Sequence, residues 1–247
     1  MKALILGCSH AAGDEMFKDP DQIIDCAKTF GWQNSYPVLI AQQLGYQPQN
    51  YAVSGGSNDA MFRIFNEQVD QLTQDDTVIA CWTGVDRTEI WHELDCRWLP
   101  LSLGTHAFHP VVTTEYALSG HGVHGKISLE SDYLAYREQW IRYQVNPVTS
   151  KLNKLKNILG LNILAQQRSI PVINIDSFYP VDCPAHIVWA TDQPFCDWAD
   201  GNHCSRTEWG HYFLDTHQRF AELVVTNIKN KLEHRTSVQS DQHLHDH

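Results

Sequence analysis

Ala3-Leu4-Ile5-Leu6-Gly7-Cys8-Ser9-His10-Ala11-Ala12-Gly13-Asp14 is the stretch whose reading decides the fold. A short apolar run stops at Gly7-Cys8-Ser9 and small residues follow, which is how a buried strand enters a tight turn and delivers one polar side chain there. Read alone, Ser9 is a serine that caps a turn or a helix, because Ser is common at both places. Whether it is also a reactive group depends on what the rest of the chain brings to the same strand end.

The same succession of strand, small-residue loop and helix recurs downstream. Residues 33–45 carry Tyr36, Leu39, Ile40 and Leu44 on one helical face, with Gly45 where a C-terminal cap glycine belongs. Residues 49–53 form a second strand that ends in Ser54-Gly55-Gly56-Ser57-Asn58-Asp59. Ser57 or Asn58 caps a helix whose apolar positions are Met61, Ile64, Phe65, Val69 and Leu72. Residues 76–82 form a third strand, which ends in Thr83-Gly84-Val85-Asp86-Arg87. This alternation predicts an α/β domain with a central parallel sheet and crossover helices, in which ligands bind beyond the carboxyl ends of the strands. Three loops should therefore meet on one edge.

The remainder is read more coarsely. Residues 88–132 show no sustained period and are read as an insertion covering the site. Residues 133–168 are mostly helical with a break before Pro147, and residues 170–175 form a fourth strand. A Pro- and aromatic-rich loop with a short strand at 187–190 leads to Asp200-Gly201-Asn202-His203. A final helix starts at Thr207, and the polar, His-rich tail 233–247 is expected to be disordered, leaving 1–232 as a single domain.

Composition narrows the function. A formal net charge of -11, with no cluster of Lys and Arg, argues against nucleic acid and for a neutral or small-molecule partner. The seven cysteines are scattered without a CxxC pair, as expected of reduced thiols in a cytoplasmic protein. Lys2 precedes an apolar run too short for a signal peptide, and no run reaches the ~20 apolar residues of a membrane span.

The late Asp200-x-x-His203 pair changes the reading of Ser9. A serine hydroxyl becomes a nucleophile when an imidazole takes its proton, and the imidazole needs a carboxylate to fix its tautomer and steady its cation. Gly7-Cys8-Ser9 with Gly13-Asp14, Asn50 to Gly55, Thr83-Gly84-Val85-Asp86, and Asp200-x-x-His203 with Gly210-His211 together resemble the four ordered blocks of the SGNH (GDSL-like) hydrolases. The resemblance implies a flavodoxin-like three-layer α/β/α sandwich and a serine esterase acting on an acyl ester, short-chain or acetyl, of a small molecule or carbohydrate. It makes Ser9 the nucleophile, His203 the general base and then acid, and Asp200 the orienting carboxylate, with no cofactor. It also implies an oxyanion hole from the backbone N–H of Ser9, that of Gly55 (with Gly56 an alternative) and an amide side chain in the third block.

The third block departs from the pattern, since Asp86 stands where the family has Asn. An ionised carboxylate donates no hydrogen bond and repels a developing oxyanion. Three arrangements are open: Asp86 pairs with Arg87 or another cation outside the hole, Asn58 supplies the amide, or the hole has backbone donors only. A metal hydrolase built on His106 with His109 or His121 with His124 is disfavoured, because such pairs alone do not converge enough ligands. Cys204 beside His203 reads as a packed thiol. The alternative function is a catalytically weak SGNH-like module that binds carbohydrate or protein through Trp82, Trp91, Trp98, Trp189 and Trp198.

Overall fold

The computed structural model describes residues 1–13, 32–92, 97–102, 138–142, 144–207 and 210–243. Strands β1 (Lys2–Leu6), β2 (Gln47–Asn50), β3 (Thr77–Trp82) and β6 (Val172–Asp176) form one parallel sheet in the order β2-β1-β3-β6. Ala3 lies beside Pro48 on one side and Thr77 on the other, and Trp82 lies beside Asp176.

Successive strand residues face opposite sides of the sheet, and both sides are covered, so the strands read as continuous apolar runs. Ala3, Ile5, Ile79, Cys81 and Ile175 share one core with helices α2 (Tyr36–Gln43), α5 (Phe195–Gly201) and α6 (Leu214–His243). Leu4, Leu6, Val78, Ala80 and Trp82 share the other with α3 (Asn58–Gln68) and α4 (Pro147–Gln167). The result is the expected three-layer α/β/α arrangement.

Local chemistry sets the helix ends. Gly45, at φ 82°, follows α2, with Gly45 N–H on Gln42 O at 3.0 Å and Tyr46 N–H on Ala41 O at 2.9 Å, a Schellman termination. Ser57 Oγ accepts from Ala60 N–H at 3.1 Å and starts α3. Asn146 caps α4 through the N–H groups of Val148 and Thr149, and Pro147 occupies the first helical position. The break anticipated before Pro147 is this cap.

Several boundaries differ from the sequence reading. The start of the 88–132 segment is an antiparallel hairpin of β4 (Arg87–His92) and β5 (Arg97–Ser102), while its continuation from 103, including His106, His109, His121 and His124, lies outside the described residues. The strand at 187–190 reduces to one parallel bridge between Asn174 and Trp189. The last helix begins at Leu214 rather than Thr207, because Arg206 and Tyr212 bridge antiparallel around a turn with Gly210 at φ 88°. That helix continues past Glu233 to His243, since no Pro or Gly interrupts it. Among the described residues no helix is long and apolar enough to cross a membrane.

Candidate active site

The carboxyl ends of the four strands lie on one edge, and the chain passes from β1 to β2 on one side and to β3 on the other. The switch point between β1 and β3 is where an open parallel sheet offers a crevice. Ser9 sits there, as the first residue of the short helix α1 (Ser9–Ala12) that follows β1. Gly7 makes this turn possible: a side chain on it would strike Ala11 Cβ and come within 3.0 Å of Cys81 Cβ. Ser9 is buried, at 6% exposure. The first helical bond runs from Ala12 N–H to Cys8 O at 2.8 Å, so the N–H groups of Ser9, His10 and Ala11 have no acceptor within the helix.

The second loop is pressed against this turn. Val53 N–H donates to Gly7 O at 3.0 Å and Asn50 Nδ2 donates to Ala11 O at 3.1 Å. Gly55 adopts φ 70° in a turn closed by Gly56 N–H on Val53 O at 2.8 Å. A side chain on Gly56 would come within 3.0 Å of Gly7 O, so the close approach of the two loops requires glycine there. Space beside Gly55 is open.

Asn58, the alternative amide, is bonded to backbone in the structure. Its Nδ2 donates to Thr83 O at 3.3 Å and Gly84 O at 3.1 Å, and its Oδ1 accepts from Thr83 N–H at 2.9 Å. Through these bonds Asn58 clamps the start of α3 to the loop after β3. Asp86 makes no ion pair among the described residues; one of its carboxylate oxygens lies over the α-carbon of Gly84.

Asp200 and His203 sit at the end of α5. His203 N–H donates to Asp200 O at 3.0 Å and Cys204 N–H to Ala199 O at 2.9 Å, again a Schellman termination. His203 therefore occupies the left-handed position, at φ 54°, where glycine is the usual residue. The Asp200 carboxylate meets Arg206, through both Nε at 3.1 Å and Nη2, and the Tyr212 hydroxyl at 2.8 Å. The Arg206 hydrogen bonds, with that of Tyr212, hold its pKa below the usual carboxylate range. No side-chain hydrogen bond joins Asp200 to His203 among the described contacts. The loops that carry Ser9 and Gly55 are thus brought together, and Asp200 is anchored by partners the sequence reading did not include.

His10 was also missed. Its ring is buried among Phe178, Phe195, His211 and Tyr212, with centroids 4.8 to 5.9 Å away. Burial first, then the neighbourhood of His211, His217, Arg87 and Arg206, pushes its pKa well below the ordinary value. Nε2 faces Cys196 Sγ at 3.8 Å, and burial raises the pKa of that thiol. Which of the two atoms donates follows the imidazole tautomer, and Nδ1, also buried, has no hydrogen-bond partner among the described residues. Among the described residues no group of three His, Cys, Asp or Glu is placed to hold a metal ion.

No protein-family model and no curated protein matches the sequence. Among solved structures the chain is similar to an acetyl xylan esterase from the rumen bacterium Butyrivibrio proteoclasticus, at TM-score 0.41 and 12% identity. The match covers 94% of this chain and 64% of the esterase, so this chain spans less than two thirds of that protein's length.

Proposed function

We propose that this protein is an SGNH-type serine hydrolase that cleaves a short acyl ester through an acyl-enzyme. The observation that carries the reading is Ser9 itself, a buried residue at the switch point that opens a short helix whose first N–H groups have no acceptor within it, with the Gly55 loop packed alongside. In this reading His203 takes the Ser9 proton as Oγ attacks the ester carbonyl. The negative charge on the carbonyl oxygen is received by the N–H groups of Ser9 and Gly55. Collapse of the tetrahedral intermediate expels the alcohol, which takes the proton from His203; water then repeats the sequence and releases the acid. Arg206 and Tyr212 favour the ionised form of Asp200, the form that steadies an imidazolium.

A fluorophosphonate probe tests this reading. Intact-mass analysis should show one adduct, peptide mapping should place it on Ser9, and Ser9→Ala should remove it. His203→Ala should slow both labelling and hydrolysis of acetyl and butyryl esters by about a thousandfold or more. Labelling that survives Ser9→Ala, or ester hydrolysis unaffected by it, overturns the proposal.

A binding module is the second reading, favoured by the absence of a third-block amide and by the exposed Trp91–Trp98 pair on the hairpin. Those rings are 46% and 40% exposed, with centroids 5.6 Å apart. Trp82, by contrast, is fully buried and bonds Asn174 through Nε1 at 3.0 Å, so it is core. Sugar affinity without turnover would support this second reading.

A further inference from the structure

We propose that Arg87 is the receptor for an anionic group, a carboxylate or phosphate, carried by the substrate a few bonds from the scissile ester. This inference rests on the hydrolase reading of Ser9. Arg87 opens β4, five residues after β3 ends at Trp82 and three after Gly84. Its Cζ lies 5.2 Å from the centroid of Phe178, and the His10 ring packs against the same phenyl ring at 5.1 Å.

Arg87 differs from three other cations of the fold in what it lacks. Among the described residues Lys154 pairs with Asp176 at 2.7 Å, Arg63 with Glu89 at 2.8 Å, and Arg206 with Asp200, whereas no carboxylate pairs with Arg87. Acids are not scarce in a chain with 29 Asp and Glu against 18 Lys and Arg. Asp86, the adjacent residue, holds its carboxylate over Gly84 instead. Arg87 Nη1 is nevertheless buried without an acceptor, and His10 Nδ1, beside the same phenyl ring, is buried without a hydrogen-bond partner. Buried donors left unpaired are unfavourable, and a guanidinium fork matches an oxyanion with two parallel bonds.

The side of the crevice distinguishes a substrate group from the oxyanion of the reaction. Phe178 follows β6, so the guanidinium lies on the β6 side, while Gly55 lies on the β2 side of Ser9. The anion received by Arg87 is therefore not the one formed at the attacked carbonyl.

The test compares 4-nitrophenyl butyrate, mono-4-nitrophenyl glutarate and a phosphate-ended ester of similar reach, at constant ionic strength. The wild-type protein should favour at least one charged ester over butyrate, and the stronger of the two identifies the anion. In Arg87→Met the charged-to-neutral ratio of kcat/KM should fall about 10- to 100-fold, chiefly through KM, and Arg87→Lys should keep part of it. No preference in the wild type, equal losses on all esters, or a loss of kcat on butyrate overturns the proposal. Calorimetric titration of Ser9→Ala with glutarate and with inorganic phosphate reads the receptor without turnover. Binding there that is abolished by adding Arg87→Met supports it, and no binding of either ion counts against it. Retained binding with no probe adduct on Ser9 would overturn the hydrolase reading alone. Melting temperatures of the Met and Lys variants show whether a loss reflects unfolding.

Discussion

The amide nitrogen of Asn58 and its carbonyl oxygen are held by the backbone of Thr83 and Gly84, which makes this buried side chain a clamp. Removing it leaves a buried Thr83 N–H and two carbonyls to find new partners. Asn58→Ala should therefore lower stability by about 2–3 kcal/mol, read as a reduced urea midpoint at unchanged slope. A loss below about 0.5 kcal/mol would mean the loop after β3 is held by other contacts. Sequence could not single out the clamp, because an Asn after a glycine loop fits a helix cap, a clamp and an oxyanion donor alike. The loops that carry Ser9 and Gly55 were legible for the opposite reason: small residues that close an apolar run mark the end of a strand. Arg206 and Tyr212 were not, because their link to Asp200 depends on a turn that brings positions six and twelve residues away back to one carboxylate.

At the scale of elements, α5 ends with a histidine where α2 ends with a glycine. Both terminations make the same pair of backbone bonds, and Gly45 and His203 hold the same left-handed position at φ 82° and 54°. An L side chain is disfavoured there by ~1 kcal/mol or more, so a histidine is retained at a local expense that packing does not explain, since the residue is exposed. His203→Gly should raise stability by about 1 kcal/mol, measured by urea unfolding, while abolishing ester hydrolysis and slowing probe labelling. A variant that gains stability and keeps full activity would remove His203 from the mechanism. The strands were legible because each is a short apolar run closed by glycine or a turn residue. The β4–β5 hairpin was not, since its residues alternate without one clear period, and Thr207 to Gly210 resembles the start of a helix until the Gly210 turn is seen.

Over the whole molecule, the helix layer formed by α2, α5 and α6 encloses two imidazoles, His10 and His217, both almost fully buried. His217 Nδ1 accepts the Tyr36 N–H at 3.1 Å, which ties α6 to the start of α2 and requires the nitrogen to be unprotonated. Burial, with His211 nearby, lowers the His217 pKa to about 3, and that of His10 is also well below its ordinary value. An unfolded histidine titrates near 6.5, so between about pH 6.5 and 3 the unfolded chain binds protons that the native state refuses. Stability is therefore full above about pH 6.5 and falls on acidification, by up to about 1.4 kcal/mol per pH unit for each histidine. Glu89 and Asp176, whose pKa values burial raises, oppose this trend where they titrate, and Asp76 and Asp200, whose values are lowered, reinforce it at lower pH. A domain with about 5–15 kcal/mol in hand should show a large loss between pH 7 and pH 5. Urea midpoints at pH 7, 6 and 5 measure the slope, and His217→Gln isolates its source, because glutamine offers Tyr36 an acceptor and does not titrate. The variant should be less stable at pH 7 and lose less on acidification, by close to one proton. Parallel slopes for the two proteins would show that His217 is protonated in the native state, and that the bond from Tyr36 does not hold α6 in place.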